Sequence, residues 1–332
     1  MLVLGHILSV TFPFFALVLC GYVAAIRGWI TLETIPGLNF YVLYFALPAM
    51  LLCFAATTPI ASLLDPGLVL DYAICALCML VLTLLITRRG LIGWNDASFG
   101  ALVAAFPNSG FMGVPLLVAL LGQAAAAPAI VSLSFDMVLT SSVCIALSRL
   151  DGQGAAGVGL AVRQALIGMA MNPLPWAIFS GSLLSATHFE LPIAFTAMLK
   201  MLAQSASPVA LFTLGCILAR TQKQGQIQAQ TAPAKDVEKI VALKLLLHPA
   251  LVWASSQLLV WAGMSLDPFS VMVLVLVAAL PSASNVPMLA DRFSANSGRL
   301  ARVVMASTVL AFLSFTGVVL VVVPESILSH GH

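Results

Sequence analysis

The sequence is poor in charge. Of its 332 residues, 8% are Asp, Glu, Lys or Arg and 61% are hydrophobic. A soluble domain carries about 25% charged residues, so a water-soluble globular fold is excluded. The formal net charge is +2 and no basic block is interleaved with aromatics, which excludes a nucleic-acid surface. There is no G-x-x-x-x-G-K-[ST] run to cradle a nucleotide phosphate, so the chain alone holds no ATP motor. G-x-S-x-G is also missing, and Asp136 has no second carboxylate evident at its depth to share a proton. An enzyme is therefore not expected.

The six cysteines (Cys20, Cys53, Cys75, Cys78, Cys144 and Cys216) all fall in apolar stretches, where a free Cys acts as a small hydrophobe. Cys75 and Cys78 form a CxxC with no second pair and no ligand His nearby, so neither a metal nor a cofactor is expected. His330 and His332 stand two apart at the C-terminal end with no further ligand evident.

What is abundant is long apolar sequence. A membrane span needs roughly 20 mostly apolar residues. Ten stretches qualify: 4–26, 35–56, 67–87, 97–121, 126–148, 162–186, 196–219, 239–262, 268–290 and 300–323. The first lacks a basic leader and a small-residue cleavage site, so it reads as a retained span. The connections are short except for the polar, Gln-rich 220–238, read as a cytoplasmic loop.

Lys and Arg set the orientation. Arg27, Arg88, Arg89, Arg149, Arg163, Arg220, Lys223, Lys235, Lys239, Arg292, Arg299 and Arg302 all belong to connections that follow odd-numbered spans, or to their helix ends. Of the 14 basic residues only Lys200 falls on the other side, Lys244 lying just inside the eighth span. Both termini are expected on the outer, periplasmic side.

The two halves echo each other. Pro13 precedes Gly21 by eight residues, as Pro173 precedes Gly181, and Pro48 and Pro208 each follow 35 after the first proline of their half. The offset is 160. Later, "FPNSGFMGVPLL" in the fourth span is answered by "LPSASNVPML" in the ninth. Five spans per half is odd, so the second half must enter the membrane in the opposite sense: residues 1–150 and 151–332 form an inverted repeat, an arrangement of many secondary transporters.

The fourth and ninth spans cannot be unbroken helices. Proline removes a donor and clashes with the preceding turn, so Pro107 and Pro281 should end one half-helix while Pro115 and Pro287 begin the next. Extended backbone survives at membrane depth only inside protein or beside a water-filled cavity. The two breaks are therefore expected to meet. The amide end of each second half-helix favours an anion, and Asn108, Ser109, Ser282, Ser284 and Asn285 add neutral polar groups, with Gly110 between the halves. The two Asn side chains either contact a ligand or cap the broken ends.

These breaks, with "YFALPAMLL" and "SASPVALFTLG", resemble the auxin efflux carrier family over nearly the whole chain. That family includes plant auxin exporters and bacterial relatives named as carriers of malonate and other small organic acids. The resemblance implies an all-α integral membrane protein of a bacterial inner membrane, with ten transmembrane helices as a 5+5 inverted repeat. Its fold would be similar to the bile-acid:sodium symporters, a core domain carrying crossed helices 4 and 9 against a panel (scaffold) domain. It also implies crossing-point roles for Pro107, Asn108, Pro115, Asn285 and Pro287, a small carboxylate substrate, alternating access and a homodimer. The 149–161 connection is brief where plant members carry a long hydrophilic loop. A sodium-coupled carrier is the alternative mechanism, and a channel or sensor the alternative function.

Ionisable groups inside a membrane mark function by default. Asp136, mid-span with Ser132, Ser134 and Thr140 around it, is the leading candidate for proton or cation coupling. Lys244 and His248 share one helix face, with Lys244 expected to snorkel to the basic side. Lys244, His248 and Asp71 are further coupling candidates, Asp71 lying about one turn inside the third span, where it could also simply reach water. Whether Asn39 packs against the crossing is left open by the sequence.

Overall fold

Hydrocarbon offers a peptide group no hydrogen-bond partner, so a spanning chain is driven into helix wherever its residues permit. A computed structural model describes residues 2–324 except 32, 64, 89–91, 151–158, 160–162, 164–166, 168–169 and 229–235. Among the described residues there are helices and turns, no strand, and one isolated bridge. His330 and His332 lie outside them, as does most of the 149–161 connection.

The helices, in chain order, are α1 (Leu2–Ile26), α2 (Thr34–Thr57), α3 (Pro66–Arg88), α4 (Trp94–Ala105), α5 (Ser109–Leu121) and α6 (Gln123–Ser148). They continue with α7 (Pro173–Thr187), α8 (Ile193–Gln228), α9 (237–261), α10 (Pro268–Ala279), α11 (Val286–Arg292) and α12 (Ser297–Val322). Among the described residues six stretches are long and apolar enough to cross a membrane: Ile7–Ile26, Thr34–Thr57, Ala61–Arg88, Gln123–Ser148, Ile193–Arg220 and Ser297–Val322. The fourth and ninth expected spans are each divided in two, as α4–α5 and α10–α11. α8 runs on through Gln228, so part of the 220–238 stretch read as a loop is helical, and 229–235 fall outside the described residues.

Proline shapes the helices locally. Five-residue π turns at Val42–Ala46, Ser109–Gly113 and Leu243–Leu247 each end two residues before Pro48, Pro115 and Pro249. The carbonyl four residues before each proline, where its ring would clash, thus lies within the widened turn. A fourth π turn, Asp136–Thr140, has no proline after it; there Ser141 Oγ donates to the Asp136 carbonyl at 2.8 Å.

The helices pack in two groups. α1 lies along α8, and α2 packs on both α7 and α8. In the other group α3 packs on α4 and α9, α10 on α9 and α6, and α12 on α9, α10 and α11. The groups touch where α8 meets α12 and the Ser109–Gly113 turn. Large apolar side chains such as Phe12, Leu19, Trp253, Ile193 and Val321 are exposed around the outside, as expected where the solvent is lipid.

Within the first group two helix crossings rest on glycine. A Cβ at Gly21 would stand 1.9 Å from the Phe212 carbonyl oxygen, and one at Gly181 would stand 2.5 Å from that of Leu52. Gly181 lies 160 residues after Gly21, and Phe212 lies 160 after Leu52. Small residues let backbones approach this closely, which is how helices gain packing energy in lipid.

At the start of α12, Arg299 makes a bidentate ion pair with Asp236, at the start of α9. Its Nη1 also donates to the Asp96 carbonyl of α4 at 2.8 Å, while Asp96 Oδ1 accepts from Asn296 N at 2.7 Å. Three helix starts are tied together at this end.

Gly21→Val should lower stability by about 1–3 kcal/mol or more through overpacking against Phe212, whereas Gly317→Ala, at a glycine with nothing near its Cβ position, should be neutral. Thermal unfolding of the detergent-purified variants measures both.

Candidate functional site

The two breaks are built the same way. α4 stops at Ala105, and Phe106 turns extended (φ −88°, ψ 106°) ahead of Pro107. α10 stops at Ala279, and Leu280 turns extended (φ −64°, ψ 157°) ahead of Pro281. A residue before proline is pushed out of the helical region by the ring, which sets both stops. Pro115 and Pro287 sit in the first positions of the α-helical turns that follow, Val114–Leu121 and Val286–Arg292.

The breaks meet as a short antiparallel pair, Pro107 opposite Ser282. Asn108 N donates to the Pro281 carbonyl at 2.8 Å, and Ala283 N donates to the Phe106 carbonyl at 2.9 Å. Ser282 N is taken by Ser307 Oγ of α12 at 3.2 Å. Each interrupted helix thereby supplies partners for the other.

Around this pair the side chains are polar and under-used. Asn108, Ser109, Ser282 and Ser284 are buried, yet Asn108 Nδ2 and the three hydroxyls have no hydrogen-bond partner. Asn108 and Asn285 precede the two second half-helices, and neither side chain caps them. Gly110 and Asn285 are partly exposed, as are Pro115 and Pro287, whereas Pro107 and Pro281 are buried. Buried polar groups are normally paired, so four orphans within a few residues of one another need a reason. α11 has seven residues, so the amide end that counts here is that of α5. Asn39 of α2 does reach the second break's helix, its Nδ2 lying 3.3 Å from Met288 Sδ.

Behind the breaks lies a second polar cluster, on α3, α6 and α9. Asp136 opens its π turn fully buried; Tyr72 Oη donates to Oδ2 at 2.5 Å and Thr140 Oγ1 donates to Oδ1 at 2.8 Å. Ser132 and Ser134 bond to their own helix's carbonyls instead. Lys244 does not snorkel. It is fully buried, with Nζ 2.8 Å from His248 Nδ1 and 3.1 Å from the Ala278 carbonyl of α10. The reason is geometric: His248 Nδ1 on its own helix and the Ala278 carbonyl of α10 are both within reach and replace water. His248 Nε2 is buried and unpartnered. Asp71 does not reach water either, because it is buried and Ser255 Oγ of α9 donates to its Oδ1 at 2.5 Å.

α3 links Asp136 to the Lys244–His248 pair, since Tyr72 bonds Asp136 and Cys75, three residues on, has Sγ 3.9 Å from the His248 carbonyl; among the described residues Asp136 and Lys244 form no ion pair. A separate groove of about 550 Å³ lies between α6 and α7, apolar apart from Ser134 and Ser182, and includes neither break. Sequence reasoning missed Tyr72 as the partner of Asp136, and also the Arg299–Asp236 pair. A tyrosine beside an acid within an apolar span was the available signal for the first.

Over residues 6–151 and 158–319 the chain matches the family described as "Membrane transport protein". The chain belongs to this family, that of the auxin efflux carriers. It is 29% identical over 323 residues, 95% of each chain, to a Rhizobium meliloti (strain 1021) protein named "Putative malonate transporter". It is 26% identical over 303 residues, 90% of this chain and 92% of the relative, to an "Uncharacterized transporter" of Methanothermobacter thermautotrophicus. Over 219 residues, 66% of this chain and 65% of the relative, it is 27% identical to "Uncharacterized transporter YfdV" of Escherichia coli (strain K12). It is an integral membrane transporter of this family.

Ser255→Ala leaves the buried Asp71 without its hydroxyl partner and should cost about 1–3 kcal/mol. Adding Asp71→Asn should recover part of that loss, as read by thermal unfolding in detergent.

Proposed function

We propose that this protein is a secondary carrier of small organic anions, short carboxylates of the malonate kind, that binds its substrate where the two interrupted helices meet. The observation that carries this reading is the reciprocal bridge at Pro107 and Ser282 with four unpartnered polar side chains buried around it. Asn108 Nδ2 and the serine hydroxyls offer donors, and α5 presents its amide end to the same place. Helix amide ends favour anions. Neutral donors also avoid the desolvation cost of a permanent charge.

The wider architecture in this reading is ten spans in two inverted halves, with α1, α2, α7 and α8 as a panel and the remaining helices as a core that moves against it. The glycine crossings support it. Gly21 on Phe212 and Gly181 on Leu52 are one contact made twice, at the 160-residue offset that relates the halves. A repeat that duplicates its helix crossings as well as its prolines has preserved its packing. Movement of the core past the panel would open the bridge region first to one side and then to the other, and the basic connections would face the cytoplasm.

Counterflow of radiolabelled malonate in proteoliposomes tests the function. Asn108→Ala should reduce exchange at least tenfold, the effect of losing one hydrogen bond to a charged group of about 1.5–3 kcal/mol, with its melting temperature unchanged. Replacing sodium by potassium should leave exchange unaltered. If no mono- or dicarboxylate exchanges, and Asn108→Ala matches the parent protein, the anion reading is wrong.

A further inference from the structure

Two ionisable side chains, an acid and a base, are buried behind the breaks, and the tertiary structure connects one of them directly to the interrupted segment. Lys244 Nζ donates to the Ala278 carbonyl, two residues before α10 gives way at Leu280. An ammonium has three donors and no acceptor; His248 Nδ1 and the Ala278 carbonyl take two of them. Asp136 of α6 is hydrogen-bonded to Tyr72 of α3 and to Thr140, and Cys75, three residues after Tyr72, has Sγ 3.9 Å from the carbonyl of His248, the partner of Lys244; among the described residues the two form no ion pair.

The other groups facing this pair are few. Cys75 of α3 has Sγ 3.9 Å from the His248 carbonyl, and Cys144 is a buried residue of the same helix as Asp136. Asp71 is held by Ser255. On α4 the only charged residue, Asp96, is bonded to Asn296 N, and on α12 Arg299 is committed to Asp236. The charge balance next to the second break is therefore set by Asp136 and Lys244.

We infer that Asp136 and Lys244 form an electrostatic switch that binds one proton together with one anion. With Asp136 ionised, its charge offsets that of Lys244, and the region behind the breaks is neutral. A proton on Asp136 leaves the Lys244 charge unmatched beside α10, and an anion at the breaks then supplies the missing negative charge. Proton and anion each favour the binding of the other, as linkage requires. This rests on the anion-carrier reading above and assigns its coupling. The π turn under Asp136, the one of the four without a following proline to explain it, fits a functional distortion.

The two charges have opposite predicted effects, which a structural role would not produce. Malonate binding to the purified full-length protein in nanodiscs, followed by calorimetry from pH 7 to 9 in buffers of different ionisation enthalpy, reports both affinity and protons taken up. The parent protein should take up close to one proton per malonate at the upper end of that range, with affinity falling as pH rises. Asp136→Asn should bind on the order of tenfold tighter than the parent at pH 9, with no proton uptake and no pH slope. Lys244→Gln should bind on the order of tenfold more weakly, and Lys244→Arg should keep the parent behaviour.

Malonate binding without proton uptake in the parent overturns the switch alone, and so does uptake that survives in Asp136→Asn or a loss of affinity in both neutralised variants. Should Lys244→Gln not yield folded protein, the parent and Asp136→Asn decide the matter. If no carboxylate binds the parent at any pH, the anion-carrier reading fails as well.

Discussion

The rest of this structure depends on how backbone that proline has taken out of a helix finds partners away from water. The chain leaves the helix at Phe106 and Leu280, both extended because the ring of the following proline disfavours the helical region, and the short segments after them lack helical partners. In an apolar surround each freed peptide group would cost several kcal/mol. Two such segments placed antiparallel satisfy one another, and here they do so with two backbone hydrogen bonds. The arrangement holds only if both helices are interrupted at the same depth and run so that the breaks coincide. Mutual satisfaction thus explains why the breaks come as a pair, and why the backbone there does not use up the polar side chains beside it.

The surrounding helices make that meeting rigid on one side and charged on the other. Glycine contacts bring α1 onto α8 and α7 onto α2 at backbone distance, a packing that leaves little freedom within the group. In the second group the Arg299–Asp236 pair and the Asp96 carbonyl fasten the starts of α4, α9 and α12. Between these lies the acid–base cluster. Burying an isolated ion costs several kcal/mol even after relaxation, and here two hydrogen bonds hold each of Asp136 and Lys244.

Much of this was legible in the sequence. Charge content marked the membrane class, and Pro107, Pro115, Pro281 and Pro287 located both breaks to within a few residues, because proline acts through its own backbone and needs no tertiary context, although α5 starts at Ser109 and not at Pro115. The same local logic failed for Lys244 and Asp71. Sequence position puts each within reach of water, and a long side chain near a helix end usually takes that route. In the fold the hydrogen-bond partners come from other helices: the Ala278 carbonyl of α10 accepts from Lys244, and the Ser255 hydroxyl of α9 donates to Asp71. Tyr72 was passed over for the same reason, since its partner Asp136 is 64 residues away.

By itself the sequence determined the helical, membrane-embedded character, the duplicated landmarks at a spacing of 160, and where each helix must break, all of them consequences of composition and of short-range sterics. Only the tertiary structure decided that the breaks bond to each other, that neither Asn108 nor Asn285 is spent on capping, and that Asp136 and Lys244 share one buried enclosure. Those outcomes depend on which helix lies opposite which, and on the hydrogen-bond partners it brings, and no local stretch of chain encodes that alone.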